Sequence, residues 1–125
     1  VFQGVETNYE TDLFMPYIEE VEKLSGIKYY GCSDEYKMAF RVIVDHIRSV
    51  TFALADGAIF SNEGRGYVLR RILRRAVRMG RKLGIHDPFL YTIVKVVVNN
   101  MKMFYTYLEE KEAIITKLIK IEEEN

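Results

Sequence analysis

Ile93-Val94-Lys95-Val96-Val97-Val98 is the run on which the fold class of this 125-residue chain turns. Its β-branched composition suits a strand. Its setting suits a helix. Asp87-Pro88 just upstream is an opening signal, an N-cap residue followed by proline at the first helical position. The apolar pattern then continues smoothly to Phe104. We read the run as helical. Nowhere else does the chain show strand-like alternation, a Gly-rich turn or an internal repeat. The whole therefore reads as all-α, a helical bundle of four to five helices with antiparallel neighbours and no sheet.

Working outward, Thr106 and Glu109 have the spacing of a capping box and open a last helix to about residue 124. The acidic end Glu122-Glu123-Glu124 reads as solvated helix surface, as does Glu19-Glu20. Upstream, a long helix opens at Asp34 and keeps its period through Phe40, Ile43, Val44, Ile47, Val50, Thr51 and Leu54 until Asp56-Gly57 ends it. A first helix covers about residues 12–24, with Thr11 or Asp12 as its cap, Pro16 tolerated in its first turn and Gly26 as its stop.

Between the long helix and Gly84 lies the most unusual composition. From Arg65 to Lys82 there are eight of the chain's 18 basic residues and no acidic one, although the formal net charge is zero. Leu69, Ile72, Leu73, Ala76, Gly80 and Leu83 recur as one apolar stripe of a helix. Arg71, Arg74, Arg75, Arg78 and Lys82 follow the same spacing on the neighbouring face. Like charges at i, i+3 and i+4 repel, and no intrahelical carboxylate relieves them. Such a ridge answers a polyanion or, on the other reading, docks on an acidic partner or domain. The preponderance of arginine favours phosphate, because a planar guanidinium matches two oxygens at once.

Asn62 stands at the head of this helix, in the loop Ser61-Asn62-Glu63. Two readings apply to it. A short polar side chain there can cap the helix. An amide also carries a donor and an acceptor together, so it can read a nucleotide edge while the arginines, Arg65 among them, hold phosphates.

Other chemistry is sparse. One cysteine, Cys32, excludes an internal disulfide framework and a multi-Cys zinc site. His46 and His86 have no metal-ligand spacing around them, and His46 reads as structural. Gly64-Arg65-Gly66 lacks the strand-before-helix context of a dinucleotide site. No apolar run approaches 18 residues and no signal layout opens the chain, so no membrane partner and a cytoplasmic setting are expected. With no self-sufficient active site, no catalytic residue and no metal ligand are assigned, and the chain reads as a piece of a longer protein.

Three blocks, Asn8 to Phe14, Arg41 to Arg48 and Ser61 to Gly80, closely resemble the alanyl-tRNA synthetase family of class II aminoacyl-tRNA synthetases. Pro88-Phe89-Leu90-Tyr91 and the acidic end are similar too, so the resemblance covers essentially the whole chain. It implies that residues 1–125 form one helical tRNA-recognition domain, following an upstream aminoacylation domain whose ATP and alanine motifs are absent here. By the same resemblance, Asn62 matches an asparagine that reads the G·U wobble pair of the tRNA(Ala) acceptor stem. Arg65, Arg71, Arg74, Arg75, Arg78 and Lys82 would hold the backbone. The resemblance implies an inactive fragment without cofactors, and ATP, magnesium and zinc only for the parent alanine–tRNA ligase.

Overall fold

The computed structural model describes residues 15–102 and 105–124, which form α1 (Met15–Ser25), α2 (Asp34–Ala55), α3 (Gly64–Lys82), α4 (Leu90–Met101) and α5 (Tyr107–Glu124), with no strand among the described residues. The run at 93–98 is helical because of where its side chains go. Leu90, Ile93, Val94, Val97 and Val98 are buried, while Lys95 is exposed. A strand would place alternate residues on one face and carry Lys95 into the core between Ile93 and Val97. Each large apolar side chain buried contributes about 1.5–3 kcal/mol, against a strand-propensity scale that spans only ~1 kcal/mol.

Helix α2 is the central element. Its buried face, Phe40, Ile43, Val44, Ile47, Val50, Thr51 and Leu54, is the one its periodicity indicates. Ser33 caps its start, the hydroxyl oxygen accepting from the Tyr36 N–H at 3.2 Å. At the other end the Lys111 ammonium donates to the Ala55 carbonyl at 2.9 Å. That contact places a cation of α5 on the negative end of α2. The most extensive packing is α2 on α3 and α4 on α5, with α1 lying on α4, and the buried apolar side chains form one continuous core. Tyr17, Ile18 and Val21 are the part of α1 that enters it. The caps expected at Thr11 or Asp12 lie outside the described residues.

The entry to α4 corrects the expectation from sequence. Asp87-Pro88 does not open the helix; its first residue is Leu90, and Phe89 supplies no side-chain cap. The cap comes from α5 instead. Glu123 Oε2 accepts from the N–H groups of Phe89 at 2.9 Å and Leu90 at 2.7 Å, and Oε1 accepts from Tyr91 at 3.0 Å. One carboxylate thus satisfies three donors at the helix start and faces the positive end of its dipole. Glu123 is therefore no solvated surface residue. Phe104, the expected end of this helix, lies outside the described residues.

Candidate nucleic-acid interface

Helix α3 buries Gly66, Leu69, Leu73, Ala76 and Gly80 against the core. This stripe rolls the remaining side chains outward in two directions. Arg71, Arg74, Arg75 and Arg78 line a groove of about 390 Å³ with Val68 and with His46 of α2. A second groove, of about 240 Å³, has Arg74, Arg78 and Arg81 along one side and Glu122 and Glu123 on the other. Arg65, Arg71, Arg75, Arg78 and Arg81 are exposed, and none makes an ion pair among the described residues. Arg71 lies over the ring of Tyr67, which is itself exposed, with 5.9 Å from guanidinium carbon to ring centroid.

Two of the expected site residues meet carboxylates of this chain instead. Lys82 Nζ is 2.7 Å from Glu35 Oε2, near the start of α2. Arg74 Nη2 donates to Glu122 Oε2 at 3.1 Å, although its side chain stays 48% exposed. Glu122, read from sequence as solvated, is buried in α5. It also holds Arg70, whose Nε lies 2.9 Å from Oε2 and whose Nη2 lies 3.4 Å from Oε1. A signal for this was present: Ile115, Ile119 and Glu122 share the buried stripe of α5. A carboxylate on a core-facing position needs a cationic partner.

Asn62 is exposed and does not cap α3. The capping position belongs to Glu63, which makes no side-chain cap bond. The Asn62 amide oxygen accepts instead from Arg70 Nη1 at 2.5 Å. Arg70 was not among the residues expected at the site, although it stands four positions before Arg74, which was.

The loop bearing Asn62 is pinned by close approach at a glycine. A Cβ on Gly66 would lie 2.4 Å from the Ile59 carbonyl oxygen and 2.2 Å from Ser61 Oγ. Backbone cannot yield as a side-chain tip can, so Gly66→Ala must push residues 59–61 off the helix. We expect a loss of about 1–3 kcal/mol in chemical denaturation, together with displaced amide resonances for Ser61, Asn62 and Glu63. Unchanged resonances there would show that the loop is not held by this contact.

The pKa of His46 is lowered, first by burial and then by the Arg75 charge, with Asp45 opposing. The imidazole beside the arginines thus favours its neutral form. Among the described residues no group of three or more His, Cys, Asp or Glu side chains is placed to hold a metal ion. No helix among them is long and apolar enough to cross a membrane.

A family match covers the whole chain. The model of the tRNA synthetases class II (A) matches residues 1–125. The chain belongs to the class II (A) tRNA synthetases. Within that family it is 57% identical over 122 residues to the alanine–tRNA ligase of Staphylococcus saprophyticus, covering 98% of this chain and 14% of that protein. It is 55% identical over 124 residues to the alanine–tRNA ligase of Staphylococcus aureus strain JH9, covering 99% of this chain and 14% of that protein. The chain thus spans about one seventh of the length of the tRNA synthetases it matches.

Proposed function

We propose that this chain is the tRNA-recognition domain of an alanine–tRNA ligase. It grips the acceptor stem of tRNA(Ala) and applies Asn62 to the G·U wobble pair, holding the stem for ATP-dependent alanylation by an aminoacylation domain of the same protein, in the cytoplasm. The observation that carries the reading is the exposed Asn62 amide, not engaged as a helix cap, at the head of a helix with exposed guanidinium groups along its outer face. Base contact and phosphate contact are thereby offered from one element, the division of labour that nucleic-acid recognition uses. The minor groove of an A-form stem is wide and shallow, so a short side chain reaches base edges there. A G·U pair leaves the guanine amino group in that groove as a donor for an amide oxygen. Arg71, Arg75 and Arg78 then fix the register on the backbone, joined by Arg65, with Arg74 and Lys82 contributing from within their ion pairs.

The zinc and magnesium implied for the whole enzyme find no ligand set among the described residues, and no step here passes through them. The rival reading, a module docking on an acidic partner, has one observation in its favour. Arg70, Arg74 and Lys82 already face carboxylates. Those carboxylates belong to this chain, which leaves the other guanidinium groups for an external anion.

In the full-length protein, Asn62→Ala should lower alanylation of a G·U-bearing tRNA by about 1–3 kcal/mol, roughly 5- to 150-fold. The penalty should shrink on stems carrying G·C or A·U at that position, and the melting temperature should barely move. Asn62→Asp can still accept from Arg70 but brings a negative charge towards RNA phosphates, so it should not rescue. Equal losses on every stem would defeat the base-reading role.

A further inference from the structure

We propose that Arg70 is the positioning residue for Asn62, and that Glu122 anchors it from across the bundle. The inference rests on the reading of Asn62 as the base-contacting residue. An asparagine amide rotates about a broad, two-fold torsion, and its two ends are a donor and an acceptor of nearly the same shape. A base-reading amide is useful only if one end is held. Guanidinium donates and never accepts, so the end facing Arg70 Nη1 is the oxygen, whichever way the amide turns elsewhere. Arg70 therefore fixes the sense of the amide. The Nδ2 hydrogens and the second lone pair of Oδ1 are what remain to meet RNA.

Arg70 is itself held. Its side chain is 26% exposed; Nη2 donates to Glu122 Oε1, while Nε lies in ion-pair range of Oε2 without a hydrogen bond, and the Glu122 side chain is 6% exposed. Arg74 shares Oε2 of the same carboxylate, so Glu122 is pulled towards α3 by two cations. The result is a relay from the last turn of α5, through α3, to the loop at residue 62. Its members are 52 residues apart in sequence between Arg70 and Glu122, and 8 apart between Asn62 and Arg70. Arg70 thus differs in kind from Arg71, Arg75 and Arg78. It is partly buried and already occupied by two oxygen-bearing side chains, so it orients a reader instead of gripping a phosphate.

The test uses the full-length protein and two stems, one with G·U and one with G·C at the recognised pair. Arg70→Met keeps the aliphatic stem and removes the fork. It should reduce the preference for the G·U stem roughly tenfold, the scale of one oriented base contact, while the salt dependence of stem binding stays as in the unsubstituted protein. Arg70→Lys should not restore the preference, because an ammonium cannot span Glu122 and Asn62 together. In an Asn62→Ala background, Arg70→Met should change the preference no further. Glu122→Gln, a milder change at the anchor, should also lower the preference, and it carries the test if Arg70→Met does not fold.

Three results would overturn the inference. One is a uniform loss on both stems with a reduced salt slope, which makes Arg70 a phosphate contact. Another is an Arg70→Met effect that persists undiminished without Asn62. The third is an unchanged preference in Arg70→Met or, where that protein does not fold, in Glu122→Gln. If Asn62→Ala itself leaves the preference intact, the base-reading function fails; if it does not and the Arg70 and Glu122 variants do nothing, only the positioning role fails.

Discussion

Replacing Arg71, Arg75 and Arg78 together with glutamine is expected to weaken acceptor-stem binding by about 10²–10³ at ~0.1 M salt. Each neutralised phosphate contributes a slope near −0.9 in log K against log salt, so at ~0.1 M each contact is worth almost tenfold relative to 1 M. The slope itself should fall by about three units. These three are the informative set because they are exposed and unpaired with carboxylates among the described residues, whereas Arg74 and Lys82 are already held by Glu122 and Glu35. Folding should not suffer. Arg71 and Arg75 are an i, i+4 pair and Arg75 and Arg78 an i, i+3 pair, so their removal relieves repulsion along α3. Titrations of a labelled stem at several salt concentrations, beside a melting curve, measure both effects. An unaltered slope would show that the ridge does not meet phosphate.

The largest stability loss is expected at Glu123. Its carboxylate accepts three backbone N–H groups at the entry of α4, and two of them, on Phe89 and Leu90, belong to buried residues. Glu123→Ala leaves those donors without an acceptor, which we estimate at about 2–4 kcal/mol, or roughly ten degrees or more in melting temperature. The pH dependence has a defined sign. Burial raises the Glu123 pKa, against the opposing effect of the three backbone bonds, and Glu124 raises it further. The folded state therefore binds this proton more tightly than the unfolded state does. The stability linked to its titration is fully present below the ordinary carboxylate pKa and is lost as pH rises through the raised folded value. Against Glu123→Gln, whose side chain does not titrate, the unsubstituted protein should gain stability as the pH is lowered through that window. A difference between the two proteins that does not vary with pH would contradict the shift.

Helical period made most of the fold legible, since it reports which residues share a face. The buried sides of α2 and α3 follow it directly: Phe40, Ile43 and Val44 in one, Leu69, Leu73 and Ala76 in the other. It also resolved the valine-rich run of α4. Period says nothing about a partner in another element, and that is where sequence reading stopped. Asp87-Pro88 carried a local opening signal, yet the one carboxylate that caps α4 lies 32 to 34 residues downstream of the N–H groups it receives. The basic ridge was visible as a block, but its division was not. Arg70 and Arg74 pair with the Glu122 carboxylate of α5, whereas Arg71, Arg75 and Arg78 line the groove shared with α2 and pair with no carboxylate among the described residues. Asn62 was legible as a candidate; the guanidinium that bonds it became evident only in three dimensions.

Helix α5 joins elements that are made long before it. The Ala55 carbonyl precedes Lys111 by 56 residues, Arg70 precedes Glu122 by 52, and the Phe89 N–H precedes Glu123 by 34. A ribosome adds ~5–20 residues per second, so Arg70 waits roughly three to ten seconds for its carboxylate. Throughout that interval the guanidinium beside Asn62 has no anchor, and the first turn of α4, once made, stays open until Glu123 follows 32 to 34 residues later. The loop bearing Asn62 is encoded in the middle of the chain, but its geometry is completed only when the closing turn of α5 has been synthesised.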